Sequence, residues 1–143
     1  MLCRICLFLA VVAALARADT RQDLLDLFAS MASALSEENP AAFLRAIDPS
    51  MPGYQQFADN VNALAAQNAV SSSIEIIKQE GDDRVQNVEL DWLLEITGKD
   101  QNHAVLHRQS VVKCRLERRK NTWRIVSLEP ASFFAPPGAG AAK

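Results

Sequence analysis

The sequence is poor in the side chains that most often carry chemistry. Its 143 residues include two histidines, three cysteines and one tyrosine. It has no Gly-rich phosphate loop, no nucleophile elbow and no metal-ligand spacing of Cys, His and acidic residues. Its formal net charge is −2, which argues against a nucleic-acid partner because such binding depends on neutralising phosphates. We therefore predict no cofactor, no metal site and no nucleic-acid binding.

The sequence also lacks an apolar run of membrane-spanning length, which is about 20 residues. The best candidate, Leu7 to Leu15, is shorter. It follows Arg4 and precedes Ala16-Arg17-Ala18, and these three parts are typical of a secretory signal peptide. We predict that residues 1–18 are removed after Ala18 and that the mature chain is exported, to a periplasm or outside the cell, without a membrane anchor. An uncleaved anchor is the alternative.

Cleavage would leave one thiol in the mature chain. Cys3 and Cys6 lie in the predicted signal peptide, so Cys114 would remain alone. An exported domain with one cysteine has no internal disulfide and depends on its core for stability. Cys114 alternates with Val112 and Leu116, which favours a buried position over a reactive thiol or an intermolecular bridge.

Three segments of the N-terminal half have helical spacing of apolar residues. The first covers residues 21–36, where no Gly or Pro interrupts the pattern. Asn39 and Pro40 predict the N-cap and first residue of a second helix, which ends near Asp48. A turn at Met51-Pro52-Gly53 then precedes a third helix that reaches about Gln67.

From Val70 onward the apolar period changes to two. The pattern predicts a first strand that ends at a turn of residues 81–83. Three more strands follow, over residues 88–96, over about 104–118 and from 123 onward. Short turns between consecutive strands indicate antiparallel hairpins. The alternation places ten residues on an inner face: Leu90, Trp92, Leu94, Leu106, Arg108, Ser110, Val112, Cys114, Trp123 and Ile125. This face is apolar except at Arg108 and Ser110. The same alternation places a charge ladder on the outer face, with acids at 89, 91 and 95 facing His107, Lys113 and Arg115.

The strand segments Val88–Ile96, Val111–Arg118 and Trp123–Leu128 resemble those of the nuclear transport factor 2-like (SnoaL-like) superfamily, in particular its small exported bacterial members of unassigned function. The resemblance implies an α+β fold in which N-terminal helices pack on a curved antiparallel sheet to form a cone. It covers residues 19–134, and the Pro, Gly and Ala composition of residues 135–143 predicts a disordered tail. The short hairpin that the superfamily has between its second and third helices is reduced or absent here, which would leave one rim of the cone open.

The resemblance further implies a pocket between the inner sheet face and the helices. We expect a ligand there to meet Arg108, with Ser110 as a hydrogen-bond partner and with Trp92 and Tyr54 as walls. The alternative is that Arg108 reaches solvent at the sheet edge or pairs with an acid such as Asp59.

Neither histidine nor the outer-face carboxylates belong to the inner face, so the sequence assembles no acid–base pair for catalysis. We therefore expect a non-enzymatic domain that binds a small apolar or amphipathic ligand, or a partner protein, on the concave face. One alternative is a small-molecule lyase, isomerase or hydrolase of the SnoaL-like kind. Another is a structural homodimer that pairs through the outer sheet face at Leu93, Val111 and Val126.

Overall fold

The computed structural model describes residues 2–138 and gives side chains from residue 19 onward. The predicted signal peptide and the last part of the predicted tail, residues 139–143, lie outside the described side chains. The elements in chain order are α1 (Leu2–Ser36), α2 (Pro40–Leu44), α3 (Tyr54–Gln67), β1 (Asn68–Gly81), β2 (Val85–Gly98), β3 (Val105–Arg119), β4 (Thr122–Glu129) and a C-terminal 3₁₀ helix (Ala131–Phe134). Helices followed by a sheet confirm the predicted α+β class.

Helix α2 begins as predicted but ends early. The Asn39 side chain accepts a hydrogen bond from the Ala42 amide at 3.1 Å, which caps the helix. The helix stops at Leu44 because the next residues bond to β4 instead. The amide of Ile125 donates to the Ala46 carbonyl, and the amide of Asp48 donates to the Ile125 carbonyl, both at 2.8 Å. Among the described residues, the segment that connects α2 to α3 has no strand-like pairing other than this bridge to β4. The hairpin between the second and third helices is therefore reduced, as expected.

The four strands form one antiparallel sheet in the order β1-β2-β3-β4, as predicted. Its register places Trp92 of β2 opposite Ile74 of β1 and Ser110 of β3. The β1–β2 register shifts between Ile76 and Lys78, and the β3–β4 register shifts between Arg115 and Leu116. Because a bulge bends its strand and increases the local twist, these irregularities help the sheet to curve around the helices.

The core lies between the concave sheet face and the helices. The predicted helix positions Leu24, Phe28, Met31 and Leu35 are all buried, as are most of the predicted inner sheet residues. Leu106 differs most, because it is 43% exposed, and Arg108 and Ser110 are half-buried. Strand β4 pairs with β3 only from Lys113 onward, so the first half of β3 is an edge without that neighbour.

Cys114 is buried, as its alternation predicted. Loss of hydration on burial raises the pKa of its thiol to about 12. In the part of the chain that the structure describes, no helix combines the length and the apolar character needed to cross a membrane.

Candidate functional site

The C-terminal 3₁₀ helix occupies the concave face. It inserts Phe134, which is fully buried, among three aromatic rings contributed by α2, β2 and α3. The ring centroid of Phe134 lies 5.3 Å from that of Phe43, 4.8 Å from that of Trp92 and 5.6 Å from that of Phe57. The neighbouring Phe133 is also buried, and its ring centroid lies 6.4 Å from that of Trp92. We call these five residues the aromatic cluster.

The packing within the aromatic cluster has a favourable geometry. Phe134 meets Trp92 at an interplanar angle of 79° and Phe57 at 75°. Edge-to-face contacts bring the positive ring edge against the negative ring face, and each adds about 0.5–1.5 kcal/mol beyond the burial of apolar area. The cluster is therefore a specific contact between the end of the chain and the middle of the sheet.

Arg108 holds the same segment by its backbone. Its Nη1 donates to the carbonyl oxygen of Phe133 at 2.6 Å and to that of Ala135 at 2.7 Å. The guanidinium is half-buried, and the loss of hydration lowers the pKa of Arg108. Among the described residues, no carboxylate lies within 4 Å of it, so Arg108 does not pair with Asp59.

Trp92 and Arg108 are brought together through this segment. Trp92 is fully buried, and its Nε1 donates to the Ser72 hydroxyl at 2.7 Å. Ser110 lies opposite Trp92 in the sheet and is half-buried, and its hydroxyl donates to the Val111 carbonyl at 3.4 Å. Tyr54 begins α3 and packs against the edge of the core. No hydrogen bond among the described residues joins Ser110 or Tyr54 to Arg108.

The sequence did not indicate Phe133 and Phe134 as site residues. The signal that could have found them is the pair of adjacent aromatic residues that follows Pro130-Ala131-Ser132, beyond the last strand. Neighbouring aromatic residues outside a strand still need apolar surroundings. The periodicity alone does not say which surface supplies them.

The titratable groups that the sequence predicted on the outer face of the sheet lie on that face. His107 Nε2 lies 3.2 Å from Glu95 Oε2, and both side chains are exposed. Lys113 Nζ lies 3.9 Å from Glu89 Oε1, so these two rungs of the predicted charge ladder are present. Arg115 differs, because it lies opposite Asn87 and its nearest acid is Glu117 on its own strand, at 3.8 Å.

Three helices packed on the concave side of a curved four-stranded antiparallel sheet define the nuclear transport factor 2-like fold, which confirms the fold that the sequence resemblance implied. The sequence itself matches no protein-family model and no curated protein sequence. The likeness therefore comes from solved structures.

Three of these structures illustrate the likeness. A nuclear transport factor 2-like superfamily protein from Salmonella enterica has a TM-score of 0.64 at 14% identity, over 78% of this chain and 89% of that one. A conserved protein from Planctomyces limnophilus has a TM-score of 0.69 at 8% identity, over 78% and 94%. A hexachlorocyclohexane dehydrochlorinase from Novosphingobium barchaimii has a TM-score of 0.63 at 14% identity, over 80% and 87%. At such identities the likeness establishes the fold alone.

Proposed function

We propose that this protein is a non-enzymatic binding domain that receives an apolar or amphipathic molecule on its concave sheet face. The observation that carries the proposal is that this face already holds an apolar group and polar oxygens from the protein's own C-terminal segment. Phe134 occupies the aromatic cluster, and two carbonyl oxygens lie on Arg108. A small ligand, or an apolar segment of a partner protein, would present the same chemistry.

In this proposal the four predicted site residues have different roles. Arg108 binds the polar end of the ligand, and Trp92 packs against its apolar part. Ser110 and Tyr54 border the face at its half-buried positions. The apolar lining with few polar groups is typical of small-molecule sites.

The side chains on the concave face support binding over catalysis. Among the described residues of β1–β4, the inward positions carry no Asp, Glu or His. Proton transfer needs such a group within hydrogen-bond reach of the reacting atom. A dehydrochlorinase activity like that of the Novosphingobium neighbour would need a base on this face.

The proposal can be tested with simple amphipathic probes. Dodecanoate and 1-dodecanol, kept below micellar concentrations, would be titrated against the purified chain while native mass spectra and tryptophan fluorescence are recorded. We expect a one-to-one complex with dodecanoate that Arg108→Met weakens. Lys113→Met is the matched control, because Lys113 is an exposed cation on the outer face of the same strand. If neither probe forms a complex with the intact chain or with a Phe134→Ala variant, the proposal fails.

A second candidate function, a homodimer through the outer sheet face, is favoured by two exposed apolar residues. Leu93 is 38% exposed and Val111 is 46% exposed. They lie near each other on β2 and β3, since Leu93 is opposite Gln109 and Val111 is opposite Asp91. Light scattering at high protein concentration would give a dimer mass, and Val111→Lys would convert it to a monomer mass. A monomer mass for the unmodified chain would remove this candidate.

A further inference from the structure

We propose that residues 131–138 form a displaceable plug on the ligand site, and that the ligand which displaces the plug is an amphipathic carboxylate. This inference rests on the proposed binding function and specifies both its ligand class and its control. It follows from how the segment is attached, from what it presents to the site and from the open edge beside it.

The plug is attached by side chains and not by strand pairing. Its own backbone bonds are local: the Phe133 amide donates to the Pro130 carbonyl at 3.1 Å, and the Ala135 amide donates to the Ser132 carbonyl at 3.0 Å. Among the described residues, its bonds to the sheet come from the Arg108 guanidinium, and its packing comes from the two phenylalanine rings. The plug can therefore leave without breaking any pairing between strands.

The plug imitates an amphipathic ligand whose polar end is weaker than a carboxylate. It offers Arg108 two neutral carbonyl oxygens, whereas a carboxylate would offer two charged oxygens. The donor is charged in both cases, but a carboxylate adds a charged acceptor, and a guanidinium can bind both carboxylate oxygens at once. Since no carboxylate of the described residues lies within 4 Å of Arg108, its charge is available to such a ligand.

The sheet provides an opening beside the plug. β3 lacks its β4 neighbour before Lys113, and Leu106, two residues from Arg108 on the same face, is 43% exposed. The plug itself passes from buried Ala135 to exposed Pro137 and Gly138. An apolar chain can thus enter along Leu106 as the plug moves outward.

Because the plug competes with the ligand, the apparent affinity equals the intrinsic affinity multiplied by the fraction of molecules in which the site is open. Weakening the plug should therefore tighten binding of the probe. We expect Phe134→Ala, or the milder Phe133→Ala if the first variant does not fold, to bind dodecanoate about tenfold more tightly. Neither ring is needed to contact Arg108, whose partners in the plug are backbone carbonyls.

A spin label on the plug would show its displacement directly. Ser132 is exposed, so Ser132→Cys can be labelled in the full chain with Cys3→Ser and Cys6→Ser, while buried Cys114 stays unlabelled. We expect added dodecanoate to convert the spectrum to a mobile form over the same concentration range in which the complex appears. A label at exposed Asn121, in the turn between β3 and β4, should not respond. Binding of 1-dodecanol should be at least about tenfold weaker, because its hydroxyl has no negative charge and no second oxygen to pair with the guanidinium.

The outcomes separate the plug from the binding function. If dodecanoate binds the unmodified chain while the Ser132 label stays immobile, the plug is a fixed part of the core and this inference is wrong, although the binding function stands. If dodecanoate binds only to the Phe134→Ala variant, it fills the cavity left by the ring, and both the inference and the binding function are wrong. If 1-dodecanol binds as tightly as dodecanoate, the carboxylate specificity is wrong. If no variant binds either probe, the binding function fails and the plug inference fails with it.

Discussion

Phe134 stands edge-on to Trp92, with their ring centroids 4.8 Å apart and their planes at 79°. Both side chains are fully buried. The contact joins the last described segment of the chain to the central part of β2. It fills part of the concave sheet face with a ring from the C-terminal 3₁₀ helix.

Removing the Phe134 ring should destabilise the protein. We expect Phe134→Ala to lower the free energy of unfolding by about 3–5 kcal/mol, because the substitution removes buried apolar contacts and leaves a cavity. Urea unfolding followed by circular dichroism would measure the loss. Ser132→Ala changes an exposed residue of the same 3₁₀ helix and should stay within about 0.5 kcal/mol of the unmodified protein. A loss below about 1 kcal/mol for Phe134→Ala would show that the ring is not part of the core in solution.

Removing the Arg108 guanidinium should loosen the C-terminal segment. Arg108→Met keeps the aliphatic part of the side chain but loses both bonds to the Phe133 and Ala135 carbonyls. We expect the free energy of unfolding to fall by about 1–2 kcal/mol. This value is low for two hydrogen bonds to a charged group, because half-buried Arg108 is partly screened by solvent. Hydrogen exchange at residues 131–135 should also accelerate. Equal exchange rates in Arg108→Met and in the Lys113→Met control would contradict the assigned role.

Asp48 should make stability depend on acidic pH. Its carboxylate accepts bonds from the hydroxyl and the amide of Ser50, at 2.6 and 2.9 Å, and lies 2.7 Å from Arg119 Nη1. These hydrogen bonds, with Arg119 and Arg124 adding favourable charge, lower the pKa of Asp48 below its ordinary value of 3.8. The stabilisation is therefore fully present above about pH 3.8 and is lost as the pH falls through the lowered pKa.

The matching variant is Asp48→Asn, which we expect to be less stable than the unmodified protein at pH 7. The difference should shrink below pH 3.8, as the unmodified carboxylate becomes protonated. Urea midpoints at pH 7 and pH 2.5 would measure both values. Asp83→Asn, in an exposed turn, should leave the midpoint unchanged. A constant difference at both pH values would show that the charge of Asp48 does not stabilise the fold.

The Cys114 thiol should be unreactive in the folded protein. Its burial and its pKa of about 12 leave almost no thiolate at pH 8. In a chain with Cys3→Ser and Cys6→Ser, we expect a disulfide reagent such as dithionitrobenzoate to react at the rate of global unfolding, and to react rapidly in urea. Rapid labelling without denaturant would mean that the strand around Cys114 opens locally.

The signal-peptide prediction can be tested by mass. When the chain is expressed with its own N-terminus in a bacterium, we expect the exported product to begin at Asp19. Ala18→Arg should block cleavage, because the residue at the end of an A-x-A site must be small. An exported or membrane-bound product that keeps residues 1–18 would favour the uncleaved anchor.

Local patterns determined the elements and the two faces of the sheet. Alternation along β2 placed Trp92 inside and the acids at 89, 91 and 95 outside, because successive side chains on a strand point to opposite faces. Helical spacing identified the buried residues of α1, and Asn39 marked the start of α2 through a bond that spans three residues. Each of these features depends on neighbours in the sequence.

The tertiary structure decided what fills the concave face. Arg108 and the carbonyl oxygen of Ala135 are 27 residues apart, and α2 ends at Leu44 because Ala46 and Asp48 bond to Ile125 in the last strand. Leu106 is exposed because β4 pairs only with the second half of β3. These outcomes depend on contacts between distant segments, whose partners are selected by packing and by the need to satisfy polar groups. The sequence by itself placed Trp92 and Arg108 on one face, and only the folded chain shows that the C-terminal segment lies on both.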